Sequence, residues 1–193
     1  MPILYIIAGP PGVGKSTHGR NFVPDPVNVL NHDQIEFGYK EANIPNYKQL
    51  AKEEMWGLIH ENISQDIDFG IELNLGTNDQ YGLLKKTHSF CPHYDIHVIL
   101  LYTSLSQLCL LRASSRADKG GHYVEPAMVD HMYWQTFSLL KQNSSMISYL
   151  TLIDVTYNSI ELVYAGSYPN HHDYINHTLP MWVMKNFPKI QIS

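Results

Sequence analysis

The chain is poor in arginine and cysteine and has no excess of basic residues. Its 193 residues include two cysteines and three arginines, and 13 lysines and arginines stand against 18 aspartates and glutamates, for a formal net charge of −5. Two cysteines are too few for a disulfide framework. A surface without a basic excess disfavours broad nucleic-acid binding. We therefore expect a protein of the reducing cytoplasm, with no nucleic-acid partner.

Long apolar runs are missing as well. The longest, such as residues 98–102, are far shorter than the ~20 residues that a membrane span needs. The first residues carry no basic segment of the kind that opens a secretory signal peptide. We expect neither secretion by a signal peptide nor membrane insertion. With 44% hydrophobic and 16% charged residues, the composition is that of a single globular domain.

The most informative motif lies at residues 9–17. An apolar run, residues 3–8, leads directly into Gly-Pro-Pro-Gly-Val-Gly-Lys-Ser-Thr, which has the G-x-x-x-x-G-K-S spacing of a phosphate-binding P-loop. Glycines let backbone N–H groups surround a phosphate without a Cβ in the way, and lysine reaches the outer phosphates. The serine hydroxyl is a ligand for Mg²⁺. The residues predicted to bind ATP or GTP are Gly9, Gly12, Val13, Gly14, Lys15, Ser16 and Thr17, with Ser16 also on the metal.

Strand and helix patterns alternate along the chain. This order predicts an α/β fold of the three-layer α/β/α P-loop NTPase type, with a mainly parallel sheet. Strands are predicted near residues 27–31, 69–75, 95–102 and 150–155. Helices are predicted near residues 46–66, 79–89 and 126–142, and one more begins at a capping box of Ser104 and Gln107 and ends before Gly120.

Two acidic residues fall at the carboxyl ends of predicted strands, where the chemistry of such sheets collects. Asp33 follows the second strand and is our candidate for the general base that takes the proton of an attacking hydroxyl. Its alternative role is the N-cap of a helix beginning near Gln34. Glu72, in the third strand, is a candidate for holding a substrate hydroxyl or a water on Mg²⁺. A purely structural role for Glu72 remains the alternative.

Two of the three arginines are four residues apart. This spacing places Arg112 and Arg116 on one helix face, one turn apart, just before a glycine-rich segment. Such a pair is typical of a lid that supplies positive charge to transferring phosphates and excludes water. The alternative is a solvated charged face.

Together these segments resemble the zeta-toxin family of P-loop kinases, over residues 3 to about 158. The similarity includes the P-loop, Asn31-His32-Asp33, the strand at 69–75, and the segment from Arg112 through Gly120-Gly121-His122 to Tyr133. Tyr157-Asn158-Ser159 is similar to a late Asp-Asn-Ser segment of the family that lies near the nucleotide base.

The resemblance implies an ATP- and Mg²⁺-dependent kinase that phosphorylates a sugar hydroxyl of UDP-N-acetylglucosamine, with a protein antitoxin as a further partner. It implies that Asp33, Lys15, Arg112 and Arg116 are catalytic, that Asn158 binds the nucleotide, and that Glu72, Thr77 and His122 contact the acceptor. We expect a kinase domain over residues 1–166, with a lid near 112–126, and a C-terminal extension over 167–193 that packs on it.

The sequence departs from the family at several positions. Asp130-His131-Met132 and Gln135 stand where members usually carry arginines, Leu73-Asn74 replaces a threonine pair, and Pro11 replaces an asparagine. His and Gln do not give a phosphate the bidentate cation contacts of arginine. A sugar nucleotide is thus the leading acceptor. The alternatives are another small molecule, a polynucleotide end, or a nucleotide-binding module that no longer transfers phosphate.

Overall fold

The computed structural model describes residues 1–157 and 159–190. The strands are β1 (Ile3–Ala8), β2 (Asn28–Leu30), β3 (Phe69–Glu72), β4 (Asp95–Tyr102), β5 (Tyr149–Asp154), β6 (Glu161–Gly166) and β7 (Tyr174–Ile175). The α-helices are α1 (Lys15–His18), α2 (His32–Glu41), α3 (Tyr47–Ser64), α4 (Asn78–Phe90), α5 (Ser106–Asp118), α6 (Pro126–Gln142) and α7 (Met181–Asn186). Turns of 3₁₀ helix cover Gly19–Phe22 and Ser144–Met146.

The seven strands form one sheet in the order β2-β3-β1-β4-β5-β6-β7. The first five strands in this order are parallel. Strand β6 pairs antiparallel with β5, and β7 pairs antiparallel with β6. Residues 4–8 of β1 and 98–102 of β4 are all buried, as expected for central strands that helices cover on both faces. The predicted three-layer α/β/α fold with a mainly parallel sheet is confirmed.

The predicted capping box at the start of α5 is wrong. This helix begins at Ser106, its N-cap residue is Leu105, and no side chain caps it. The Ser104 backbone N–H instead donates to Thr156 Oγ1 at 2.8 Å. Ser104 is therefore tied to the loop after β5 and lies one residue too early to cap the helix.

The C-terminal helix α7 is hydrogen-bonded to the end of β5 through one tryptophan. The Trp182 indole N–H donates to Asp154 Oδ1 at 2.7 Å, and Thr156 Oγ1 donates to the same oxygen at 2.6 Å. The indole ring stacks on Phe137 of α6 with a centroid distance of 5.7 Å. The buried Asp154 carboxylate thus accepts hydrogen bonds from Trp182 of α7 and from Thr156 of the loop after β5.

Among the described residues, no helix has both the length and the apolar character to cross a membrane.

Candidate active site

The P-loop joins β1 to α1 and has the backbone conformation that its glycines allow. Gly9 and Gly12 have φ angles of 138° and 79°, which other residues rarely adopt. A Cβ at Gly9 would lie 2.2 Å from the Leu101 carbonyl oxygen, and one at Gly12 would lie 2.2 Å from that of Cys109. The loop therefore fits against β4 and α5 only because these two residues lack side chains. Val13, in the middle of the loop, is fully buried.

Lys15 is buried and hydrogen-bonded to the protein. Its Nζ donates to the carbonyl oxygens of Gly9 and Pro10 at 2.9 and 3.2 Å and to Asn74 Oδ1 at 2.6 Å. Burial lowers the pKa of Lys15 to about 8; the nearby Glu72 carboxylate opposes this shift and Arg116 adds to it. A phosphate arriving at the loop would meet a lysine already oriented there.

Glu72 connects the P-loop to the start of α2. Because β3 is the neighbour of β1, Glu72 pairs with Ile7 and ends its strand beside the loop. Its Oε1 accepts a hydrogen bond from Ser16 Oγ and its Oε2 accepts one from Asn31 Nδ2, each at 2.9 Å. One carboxylate therefore orients two polar side chains from different elements.

Asp33 lies in the first turn of α2, exposed to solvent. The N-cap of this helix is Asn31, whose Oδ1 accepts from the Gln34 backbone N–H at 3.3 Å. The alternative role of Asp33 as N-cap is thus wrong, because Asn31 fills that position. Asp33 as general base stays a prediction.

A cleft of about 730 Å³ lies between the P-loop and α5, and we call it the P-loop cleft. Its lining combines loop residues, Glu72 and the end of α5: Gly12, Gly14, Lys15, Ser16, Thr17, Phe37, Glu72, Leu111, Arg112, Ser115, Arg116, Lys119, Gly120 and Gly121. Both predicted arginines border it. Lys119 adds a cation that sequence reasoning missed.

Arg116 is held by the turn that follows α5. Its Nη2 donates to the His122 carbonyl oxygen at 3.3 Å, and a Cβ on Gly121 would lie 2.8 Å from Arg116 Cγ. Within the described residues, the buried Nε of Arg116 has no hydrogen-bond partner. An unsatisfied buried donor is uncommon, and a ligand oxygen would satisfy this one.

A second cleft, of about 410 Å³, has Asp33 in its wall, and we call it the Asp33 cleft. Its lining is Pro11, Lys15, Asp33, Glu72, Asn74, Gln80, Arg116, His122, Tyr123, Val124, Glu125, Met128 and Met132. Lys15, Glu72 and Arg116 also line the P-loop cleft. The two clefts therefore meet at these three side chains.

The remaining predicted site residues have different positions. His122 lines the Asp33 cleft, whereas Thr77 lies at the N-terminus of α4, outside the lining of either cleft. Asn158 lies outside the described residues. Sequence reasoning missed the contacts of Asn31 and Asn74; the pattern Asn31-x-x-Gln34, typical of a helix N-terminus, was the available signal for Asn31.

The donor set fits a magnesium nucleotide. The Ser16 hydroxyl and the Glu72 carboxylate supply adjacent oxygen atoms, which are the ligands Mg²⁺ prefers, and the Gly12–Gly14 backbone leaves room for phosphate. In the part of the chain that the structure describes, no group of three or more His, Cys, Asp or Glu side chains could hold a metal.

No protein-family model and no curated protein sequence matches the chain. Solved structures match its fold. A chain of the PezAT chromosomal toxin–antitoxin system of Streptococcus pneumoniae is 17% identical, with a TM-score of 0.61 over 90% of this chain and 74% of that one. A chain of the Pnkp1/Rnl/Hen1 RNA repair complex is 19% identical, with a TM-score of 0.56 over 73% of this chain and 46% of that one.

A third match is the AvrRxo1-ORF1:ORF2 complex determined with ATP. One of its chains is 10% identical, with a TM-score of 0.61 over 86% of this chain and 58% of that one. This chain thus spans about half of the RNA-repair and AvrRxo1 chains that it matches. At these identities the likeness is one of fold.

Proposed function

We propose that this chain is an ATP-dependent kinase that transfers the γ-phosphate to a hydroxyl group of a small molecule. The observation that carries the proposal is the junction of the P-loop cleft and the Asp33 cleft at Lys15, Glu72 and Arg116. A kinase needs a nucleotide site and an acceptor site that share the transferred group. Fold likeness to a complex determined with ATP supports the choice of nucleotide.

The chain's own side chains suit the steps of phosphoryl transfer. ATP supplies the phosphoryl group, and Ser16 with Glu72 would hold its Mg²⁺. Lys15 leaves its carbonyl partners for the β- and γ-phosphates, and Arg112 and Arg116 stabilise the charge on the transferred group. Asp33 orients the acceptor hydroxyl and takes its proton. We also propose that residues 112–126 act as a lid on the kinase domain, residues 1–166, with residues 167–193 as an extension of it.

The resemblance described above supports UDP-N-acetylglucosamine as the first acceptor to test. A polynucleotide end is an alternative acceptor that fold likeness to an RNA-repair chain supports and the net charge of −5 opposes. Likeness to a toxin–antitoxin chain supports a protein antitoxin as a proposed partner. Co-purification with a co-expressed neighbouring protein would test that partner.

The experiment is a screen for acceptor-dependent ADP release with Mg·ATP. UDP-sugars, nucleosides, aminoglycosides and oligonucleotides are supplied in turn, with Lys15→Ala as the matched inactive variant. We expect ADP release with at least one acceptor and none from Lys15→Ala, because this change removes the cation at the β- and γ-phosphates. Full turnover in Lys15→Ala would refute the P-loop assignment. Tight Mg·ATP binding without ADP release from any acceptor would favour the nucleotide-binding module instead.

A further inference from the structure

The Asp33 cleft has more negative than positive side chains. Asp33, Glu72 and Glu125 contribute carboxylates to its lining, whereas its lysine and arginine content is Lys15 and Arg116. A recess of about 210 Å³ continues from it and shares five lining residues with it. The other residues lining that recess are Asn31, His32, Leu73 and Leu83, so no lysine or arginine is added there.

Both cations line the P-loop cleft as well as the Asp33 cleft. Lys15 Nζ lies on the P-loop carbonyl oxygens of Gly9 and Pro10. In the proposed complex with ATP, these two charges would pair with the γ-phosphate. A phosphate belonging to the acceptor would then lie among carboxylates with no arginine or lysine left to pair with it, which is costly in a partly buried site.

Two amide side chains give the cleft hydrogen-bond donors for hydroxyl groups. Asn74 Oδ1 accepts from Lys15 at 2.6 Å, and Gln80 Oε1 accepts from the Gly76 backbone N–H at 2.9 Å. Each oxygen is therefore engaged, which leaves the NH₂ group of each amide to donate. Met128 and Met132 add an apolar surface on α6 for the carbon atoms of an acceptor.

Glu125 is the carboxylate without another assignment. It is the N-cap residue of α6, but its side chain makes no capping hydrogen bond, and it is exposed at the rim of the cleft. Asp33 is the proposed general base for the reacting hydroxyl. The Glu72 carboxylate already accepts hydrogen bonds from Ser16 and Asn31. A cationic group on the acceptor would find an ion-pair partner in Glu125.

We infer that the acceptor is a hydroxylated amine without a phosphate of its own, with its ammonium group at Glu125 and its reacting hydroxyl at Asp33. This inference rests on the proposed kinase function and departs from UDP-N-acetylglucosamine, the acceptor that the family resemblance supports. In the reaction the hydroxyl oxygen forms a bond to the γ-phosphorus, the bond from that phosphorus to the β–γ bridging oxygen breaks, and ADP leaves. The hydroxyl proton passes to the Asp33 carboxylate.

The test compares matched acceptors that differ in charge. Amino sugars and aminoglycosides, their N-acetylated neutral forms, and phosphate esters including UDP-N-acetylglucosamine are titrated into the full chain with Mg²⁺ and a non-hydrolysable ATP analogue. ADP release is then measured for each with ATP. We expect at least one amine to bind about fivefold or more tightly than its neutral form, and phosphate esters to bind weakest.

Glu125→Gln is the decisive variant. We expect it to reduce the preference for the amine over its neutral form about fivefold, whereas Glu53→Gln, on the exposed face of α3, leaves that preference unchanged. The Glu125 side chain is exposed and makes no capping hydrogen bond, so we expect its replacement to leave the fold intact.

Separate outcomes test the inference and the kinase function. Tightest binding or fastest turnover with a phosphate ester would overturn the inference and leave the kinase standing. Failure of every amine to bind would also overturn it. Amine-selective binding without ADP release would support the acceptor class and overturn the kinase function.

Discussion

Ser16 Oγ lies 2.9 Å from Glu72 Oε1, so the proposed metal ligand of the P-loop is already paired with the carboxylate that ends the adjacent strand. The other oxygen of that carboxylate holds Asn31, the N-cap of the helix that carries Asp33. A single acidic residue therefore connects the proposed nucleotide side of the site to the proposed acceptor side. Changes at Glu72 should consequently affect both metal and acceptor.

Glu72→Gln should raise the Mg²⁺ concentration needed for half-maximal turnover about tenfold or more. The glutamine amide lacks the negative charge that attracts Mg²⁺. Its NH₂ group would also replace one of the two oxygens that accept from Ser16 and Asn31, so one of these hydrogen bonds would be lost or reversed. Turnover measured against Mg²⁺ concentration checks this. If Glu72 acts with Ser16, the double variant Ser16→Ala/Glu72→Gln should lose less than the sum of the two single effects. Strict additivity would mean that the two side chains act independently.

Lys15 should make ATP binding proton-linked in mildly alkaline solution. Its pKa is lowered to about 8 in the ligand-free protein, and phosphate charge beside Nζ should raise it again, so binding takes up roughly half a proton at pH 8. Calorimetric titration in buffers of different ionisation enthalpy measures this uptake. Lys15→Met, used as the control at higher ATP concentration, should lack the Lys15 contribution. Equal uptake by both proteins would assign the proton to another group.

The lowered pKa of Lys15 should also make the free energy of unfolding increase with pH. The folded-state pKa is about 8 and the ordinary value is 10.5, so between these pH values the unfolded chain binds more protons than the folded one. The Lys15 contribution to the free energy of unfolding therefore increases as the pH rises through this window and is least favourable below it. Chemical denaturation of the parent and of Lys15→Met across pH 7–10 isolates the contribution.

Asp33→Asn should lower turnover about 10²-fold or more and leave ATP affinity and stability nearly unchanged, as expected for loss of a general base. Asn31→Ala is the matched comparison, because it removes the actual N-cap of α2 and should cost about 1 kcal/mol of stability. Thermal unfolding and single-turnover transfer separate the two effects. An Asp33→Asn protein that transfers phosphate at the parental rate would remove Asp33 from the chemistry.

Arg116→Lys should slow phosphoryl transfer, and Arg116→Ala should slow it further, by about 10²-fold or more. Lysine keeps the charge but loses the planar donor pair and the Nε, which has no hydrogen-bond partner among the described residues. ATP affinity should change far less than turnover, because the contact strengthens as charge develops on the transferred group. Lys141→Ala, on the exposed part of α6 and outside both clefts, serves as the control. Parental single-turnover rates in both Arg116 variants would indicate a solvated helix face.

The P-loop and the central strands could be predicted because their requirements are local. Gly9 and Gly12 need positive φ angles and close backbone approach, and continuous apolar runs such as residues 98–102 are typical of strands buried on both faces. Strand β4 and helix α6 have the predicted bounds. Strand β6 was not predicted, because it pairs antiparallel and only half of its residues are buried, which leaves a weaker pattern.

The side-chain contacts of the site could not be predicted from the sequence, because they join distant positions. Lys15 and Asn74 are 59 residues apart, and Asn31 and Glu72 are 41 apart. Strand order decides these contacts, since β3 lies between β1 and β2 and brings its end beside both. The acids at the strand ends were nonetheless recognisable, because parallel strands present their carboxyl ends at one edge.

The Trp182 link between α7 and Asp154 gives the chain an optical reporter of its own. Trp182 is 5% exposed and Trp134 is 63% exposed. Trp56 of α3 is partly buried as well. An indole in apolar surroundings emits at shorter wavelengths than one in water, so in a Trp56→Phe background the blue component of the fluorescence would belong largely to Trp182 on α7. Detachment of that helix would shift the emission toward the red while the helical signal of the rest of the chain persisted. Fluorescence and circular dichroism recorded on one sample would therefore distinguish release of the C-terminal helix from unfolding of the sheet.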